Sequence, residues 1–321
     1  MTNSSSDKPS EFDLIAKLFA PLSKSAPGAF GLTDDAAVIA PPASHELVIT
    51  TDALVEGVHF RKDDPADTIA KKALRVNLSD LAAKGAQPIG YLLAISLPKH
   101  VGMPWLESFA RGLGEDQAQY GVALYGGDTT STPGPLTLAI TAFGSVPAGQ
   151  MIRRAGAKPG DLVFVSGTIG DAGAGLKAAQ SDYLVNRYRV PEPRMALGIA
   201  LRGIASAALD VSDGLLADLG HIADTSKVKI IVDAARMPRS SELKALAGDS
   251  IDAIVQAATA GDDYEIAFTA PASKRDAVVE AARKSGTAVT RIGRVEQGAG
   301  VSLLDDRGNN IAVPRAGYVH F

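Results

Sequence analysis

The sequence predicts a mixed α/β protein of two domains, and three observations lead there. Short β-rich runs alternate with helical patterns along the whole chain, the signature of sheets covered by helices. At 321 residues the chain exceeds one ordinary domain. A polar, turn-rich stretch, Arg153-Arg154-Ala155-Gly156-Ala157-Lys158-Pro159-Gly160-Asp161, interrupts the alternation near its middle. The boundary is placed at residue 150, giving domains at 1–150 and 151–321.

Residues 1–10 are polar and Ser-rich with no apolar run, so they read as a disordered leader and not a signal peptide. Residues 11–22 set Phe12, Ile15, Leu18, Phe19 and Leu22 at helical spacing, predicting an amphipathic helix that ends near Pro21. Short strands are expected at 36–40, 47–51 and 55–60, then a long helix at 66–84 stopped by Gly85. A strand at 91–97, a helix at 105–119 and strands at 122–125 and 136–146 complete the first half. In the second half the patterns predict strands at 162–166, 207–211, 229–233, 264–269 and 289–295. Helices are expected at 172–180, 194–206 and 215–225, with others between the later strands.

Lys+Arg number 32 against 36 Asp+Glu, a net charge of −4, so no basic excess exists to hold a nucleic-acid backbone. The absence of cysteine excludes disulfides, thiolate metal sites and a cysteine nucleophile. The longest uncharged stretch, 129–152, is broken by Pro133, Pro135 and Pro147, and its apolar centre at 136–146 is only of strand length. A membrane-spanning helix needs about 20 apolar residues. No membrane partner and a cytoplasmic location are expected.

The informative feature is where the acids fall. Asp34-Asp35 precede a strand, Thr50-Thr51-Asp52 close one, Asp80 lies on the long helix, Asp128 follows Gly126-Gly127, and Asp210 and Asp213 bracket Val211-Ser212. Taken singly, each has a plain structural role: Asp35 in a turn, Asp80 pairing with Lys84, Asp213 capping the helix that starts at Gly214-Leu215. Gathered together, several carboxylates require cations, and oxygen ligands without Cys select Mg²⁺, Mn²⁺ or Ca²⁺. A magnesium-polyphosphate site follows. Gly126-Gly127-Asp128-Thr129-Thr130 fits either a backbone that approaches a phosphate closely or an ordinary tight turn.

Walker-type and protein-kinase motifs are missing. Gly173-Ala174-Gly175-Leu176-Lys177-Ala178 imitates a dinucleotide fingerprint, but residues 167–172 separate it from the preceding strand, and helix packing explains it. The histidines lack metal-ligand spacing. His59, just after the Thr50-Thr51-Asp52 run, is the one placed to face the same cleft.

Seven motifs taken in order resemble the thiamine-monophosphate kinase family. They are Gly31-Leu32-Thr33-Asp34-Asp35-Ala36-Ala37, Thr50 to Phe60 with its Glu56-Gly57-Val58-His59-Phe60, Asn77-Leu78-Ser79-Asp80-Leu81-Ala82-Ala83, Gly126-Gly127-Asp128-Thr129-Thr130, Val211-Ser212-Asp213-Gly214-Leu215, Gly261-Asp262-Asp263-Tyr264-Glu265 and Gly317-Tyr318-Val319-His320-Phe321. Thr33 departs from the family's usual second glycine, and Asp262 stands where glutamate is frequent. The family is similar in fold to aminoimidazole-ribotide synthetase and selenophosphate synthetase. The resemblance implies an N-terminal α/β domain that binds ATP and metal and whose sheet joins a partner's in a homodimer. It implies a C-terminal α/β domain that completes the nucleotide and substrate site.

The resemblance also implies ATP-dependent phosphorylation of thiamine monophosphate to thiamine diphosphate. By matching positions, Asp35, Thr50, Thr51, Asp52, Asp80, Asp128, Asp210 and Asp213 would carry Mg²⁺, with Asp52, Asp128 and Asp213 as the catalytic set. Gly127, Asp128, Arg154 and Ser212 would meet ATP, and His59, Asp262 and Tyr318 the thiamine phosphate. In such a reaction two polyanions must approach, about four negative charges meeting about two, and divalent cations remove that obstacle. The attacking phosphate oxygen is already ionised, so no general base is needed. Three rivals use related residues. A selenophosphate synthetase would want a reactive Cys, which is absent, while a metal-dependent phosphohydrolase or a non-catalytic binding protein would keep the same carboxylates.

Overall fold

The computed structural model describes residues 11–177 and 181–318. The expected leader at 1–10, the end of the helix expected at 172–180 and the final Val319-His320-Phe321 lie outside the described residues. Contacts divide the chain into one unit of Met1–Ala43, Ile49–Asn77 and Pro88–Gly144 and a second of Ser44–Val48, Leu78–Gln87 and Ser145–Phe321.

The first unit opens with α1 (Glu11–Leu14), which widens into a π-helix (Ile15–Phe19) and then tightens into 3₁₀ turns at Ala20–Ser23 and Pro27–Leu32. The single amphipathic helix expected over 11–22 is therefore three helical forms in succession. Pro21 has no N–H with which to continue an α-helical ladder. The spacing still does its work, because Leu14, Leu18, Phe19 and Leu22 are all buried. No strand forms at 36–40: Val38 N–H donates to Gly28 O at 2.8 Å, and Pro41-Pro42 offer no donors to extend a ladder. The run at 47–51 lies inside one longer strand, β1 (His45–Val55), whereas the strand expected at 55–60 is instead the turn that follows it, in which Gly57 takes φ +81.

Next come α2 (Ala66–Ala83), β2 (Gln87–Pro98), α3 (Met103–Tyr120), β3 (Ala123–Thr132) and β4 (Thr137–Pro147). The helix α3 starts with Pro104 in its first turn and stops at Gly121 in the left-handed conformation. Arg75 on α2 forks onto Asp116 on α3 with bonds of 2.8 and 2.7 Å, a buried bidentate pair. The sheet order is β1-β4-β2-β3, with β2 and β3 parallel. Alternation splits the sheet's two faces. Tyr91, Leu93 and Ile95 of β2 and Leu138 and Ile140 of β4 are buried, whereas Leu92 and Ala94 of β2 and Ile49, Thr51 and Ala53 of β1 are exposed.

The second unit carries β5 (Asp161–Ser166), β6 (Ala207–Asp210), β7 (Lys229–Asp233), β8 (Ile266–Pro271), β9 (Val289–Glu296) and β10 (Gly300–Leu304), in the order β10-β7-β9-β5-β8-β6. Only the β10–β7 pair is parallel; the others are antiparallel. Its helices are α4 (Asp171–Lys177), α5 (Asp182–Arg189), α6 (Met195–Ala200), α7 (Leu215–Ser226), α8 (Ser241–Ala247), α9 (Ile251–Ala258) and α10 (Arg275–Ser285). Both sheet faces are covered. Val163, Val165, Leu209 and Ala267 pack with Leu215, Leu219 and Ile222 of α7. Phe164, Ala208, Ile266 and Phe268 pack with Leu197 and Leu201, with Val278 of α10 and with Ala82 and Ala83.

The pattern at 194–206 yields only the short α6, and that at 264–269 starts late because Tyr264 takes φ +50. The decoy glycines serve packing: a Cβ on Gly175 would lie 1.9 Å from Leu184 O.

Candidate functional site

In the first unit a cavity of about 590 Å³ opens on the exposed sheet face, lined by Asp34, Asp35, Gly126, Gly127, Asp128, Thr129 and Thr141 together with apolar side chains such as Phe19, Leu92 and Tyr125. Asp35 and the Gly127-Asp128 pair, far apart in sequence, thus border one space. Thr51 on the neighbouring β1 joins this group through Thr141, whose hydroxyl donates to Thr51 Oγ1 at 3.1 Å, while Thr51 Oγ1 donates to Ile140 O at 3.1 Å. A hydroxyl has two acceptor positions, so Thr51 retains one for a cation.

Two local expectations are corrected here. Thr50-Thr51-Asp52 sits inside β1, not at its end, and Gly126-Gly127-Asp128 lies within β3, not in a turn. The reason is the parallel pairing of Leu93 with Gly127: a Cβ on Gly127 would lie 1.8 Å from Leu93 O, so glycine is what lets the two strands close.

His59 stands half-buried in the turn after β1. Its Nδ1 accepts the Val55 N–H at 3.0 Å, and its carbonyl accepts from Lys72 Nζ at 2.8 Å. In the neutral ring the proton is thereby assigned to Nε2.

In the second unit Asp80, near the end of α2, faces Asp210, the last residue of β6. Burial pushes the Asp210 carboxyl well above the usual carboxylate range, and the charges of Asp80 and Asp218 push it further. Lys84 lies beside them, donating to Ala208 O at 2.9 Å. Burial, helped by Arg154, lowers its ammonium to about 8 against the pull of Asp210 and Asp80. Two carboxylates and one ammonium thus stand together here, and the carboxylates are oxygen donors of the hard kind that suits a divalent cation.

Four other expected residues are joined through the backbone. Asp262 N–H donates to Ser212 O at 2.8 Å, and Tyr318 N–H donates to Asp213 O at 2.9 Å. Asp262 holds φ +69, and the Tyr264 hydroxyl donates to its Oδ1 at 3.2 Å. Arg154 is exposed, and its carbonyl accepts from Ser226 Oγ at 3.4 Å.

Sequence reasoning missed three acids. Asp218 on α7 accepts three backbone N–H groups from residues 212–214. Burial and the charge of Asp213 raise its carboxyl to about 7, while those N–H groups oppose the rise. Asp263 accepts the N–H groups of Gly170 and Ala172 at 2.7 and 3.3 Å. Glu265 binds Arg194 in a fork of 2.7 and 2.6 Å, Arg187 at 2.8 Å and Ser166 at 2.6 Å. The signal for the last two was present in the acid-rich run Gly261-Asp262-Asp263-Tyr264-Glu265.

Residues 33–146 match the AIR synthase related protein, N-terminal domain, and residues 158–306 the AIR synthase related protein, C-terminal domain. A thiamine-monophosphate kinase of Caulobacter vibrioides is 44% identical, the match covering 97% of this chain and 91% of that one. The crystal structure of thiamine-monophosphate kinase from Stenotrophomonas maltophilia superposes with a TM-score of 0.81 at 44% identity, over 89% of this chain and 96% of the other. AaThiL complexed with AMPPCP and TMP does so with a TM-score of 0.77 at 31% identity, over 92% and 97%.

Proposed function

We infer what the chain does from one premise: it belongs to the thiamine-monophosphate kinase family, and the match to its curated members spans nearly its whole length. It is an ATP-dependent phosphotransferase that converts thiamine monophosphate to thiamine diphosphate. The observation that carries this is the likeness, over 92% of the chain, to a relative complexed with AMPPCP and TMP.

The finer reading is ours. The first unit's cavity receives the ATP phosphates, with Gly127 and Asp128 at its border; in the second unit Ser212 and Arg154 are read as nucleotide contacts from their matching positions. Magnesium would be held by Asp35, Thr50, Thr51, Asp52, Asp80, Asp128, Asp210 and Asp213, an all-oxygen donor set that suits a hard cation. When bound, Mg²⁺ supplies charge neutralisation and alignment of the two phosphates. The chain's own residues do the rest. Arg154 offers a guanidinium fork to a phosphate. Asp262 gives the thiazolium cation a carboxylate, oriented by Tyr264, and Tyr318 offers it an aromatic face. His59, whose Nδ1 is held by the Val55 N–H, is read as the donor to the acceptor phosphate. Transfer is direct and in line, since the attacking oxygen needs no base.

The domains at 1–150 and 151–321 divide this labour, the first holding ATP and metal and the second closing the nucleotide and substrate site. The exposed apolar Ile49 of β1, at 64%, supports the homodimer in which this sheet joins a partner's. No described helix is long and apolar enough to cross a membrane, and we place the enzyme in the cytoplasm.

The test is to mix purified protein, MgATP and thiamine monophosphate and quantify products. Equal amounts of ADP and thiamine diphosphate are expected, with none from unphosphorylated thiamine. Inorganic phosphate released without thiamine monophosphate would make the protein a hydrolase, and product from thiamine alone would overturn the acceptor.

A further inference from the structure

At Ser212-Asp213-Gly214 three successive N–H groups converge on one atom. All donate to Asp218 Oδ2, at 3.0, 3.1 and 3.1 Å. Ser212 O and Asp213 O are used elsewhere, the first accepting the Asp262 N–H and the second the Tyr318 N–H. Asp218 is buried at 3% exposure on the first turn of α7, and Gly214, at φ +125, permits the turn.

We propose that Asp218 is a positioning residue that couples the two halves of the site. By collecting the N–H groups it fixes the peptide planes of Ser212 and Asp213, and those planes aim their carbonyls at the segments bearing Asp262 and Tyr318. This rests on the reading above, in which Ser212 and Asp213 meet ATP and its cation while Asp262 and Tyr318 meet thiamine monophosphate. A cap for α7 would require only the bond to Gly214, its N-cap. The other two bonds hold peptides that precede the helix. Three N–H groups converging on one oxygen leave the peptides little freedom to turn, so one side chain can order the whole turn.

Another role is available to the same carboxylate: Asp213, Asp218 and His221 present potential ligand atoms within 4.8 Å of one another. The experiment separates the two. Asp218→Asn keeps a neutral oxygen that can accept the three N–H groups, and Asp218→Ala removes it. KM and kcat for ATP and thiamine monophosphate are measured, together with amide hydrogen exchange at residues 212–214, 262 and 318. Asp218→Ala should raise KM for both substrates by about 10- to 100-fold and speed exchange at all five amides. Asp218→Asn should stay within about fivefold of the parent.

A parental KM for thiamine monophosphate in Asp218→Ala overturns the proposal. So does an Asn variant as damaged as the Ala one, which would assign the charge to a cation. Should Asp218→Ala fail to fold, the Asn variant decides alone: KM values within about fivefold of the parent support the coupling, and a larger rise overturns it. If the parent forms no thiamine diphosphate, the functional reading fails. Exchange still judges the coupling: unchanged rates at Asp262 and Tyr318 in Asp218→Ala, or in Asp218→Asn rates as fast as a fully exposed amide, would sink it.

Discussion

The acids of the two units live in opposite surroundings. Asp35 and Asp128 stand exposed on the border of an open cavity, whereas Asp210, Asp263 and Glu265 are buried and held by the fold. An exposed carboxylate keeps its water and is at ease without a partner. A buried one must be given hydrogen bonds or positive charge by the structure around it. The contrast separates two consequences of substitution: in the first unit, loss of chemistry without loss of stability; in the second, loss of both.

The largest effect should come from Glu265→Ala. It would leave the heads of Arg187 and Arg194 buried around an empty space, because both now end on that carboxylate. Breaking a buried pair on one side costs about 3–5 kcal/mol, which should lower the thermal midpoint by roughly 10 °C. A midpoint within roughly 2 °C of the parent would erase the distinction between the units.

Asp128→Asn tests the other side. Its side chain borders the cavity and is exposed. Turnover should fall about 100-fold or more, near 3 kcal/mol of lost barrier lowering, while stability stays within about 0.5 kcal/mol. Calorimetry beside the product assay reads both quantities. A melting temperature that falls as far as in Glu265→Ala would show that exposed acids also hold the fold.

Legibility in the sequence followed the same division. Long periodic elements such as α2 and α3 were readable because an amphipathic helix needs only its own spacing and its stop signals, Gly85 and Gly121. The acid-bearing motifs were readable as candidates because polar residues recurring in glycine-rich contexts are conspicuous. What was not readable depends on partners distant in sequence. Gly126-Gly127 reads locally as a turn, and only the pairing with Leu93 makes it strand. Asp218 sits in an ordinary amphipathic helix, and nothing before folding says that its carboxylate reaches back to residues 212–214. The expected strand at 36–40 failed because a β-rich run without a neighbouring ladder has no bonds to make.

The open sheet face offers a subtler test of the exposed region. If Ile49 and its neighbours meet a second copy, Ile49→Glu places a charge where about 1.5–3 kcal/mol of apolar burial per copy would be gained. Sedimentation should then shift from a dimer to the 33.1 kDa of one chain. A parent that sediments at that mass already would remove the dimer from the proposal.

The smallest effect contrasts exposed and buried acids within the second unit itself. Glu280 on α10 forks onto Arg283 with two bonds of 2.8 Å at the surface. Hydrogen bonding to Arg283, with the charges of Arg283 and Lys284, lowers its carboxyl to about 2 from an ordinary 4.5. A depressed carboxyl stabilises the fold above its unfolded value and loses that contribution as the pH falls toward the folded one. The difference in melting temperature between the parent and Glu280→Gln should therefore be full at neutral pH and begin to shrink below 4.5. Because the pair is solvated, the difference should also shrink as salt is added, unlike that of Glu265→Ala, whose partners are shielded from ions by the protein. A Glu280 difference that grows in acid, or that ignores salt, would place this surface pair with the buried network and leave the contrast between solvated and enclosed acids without support.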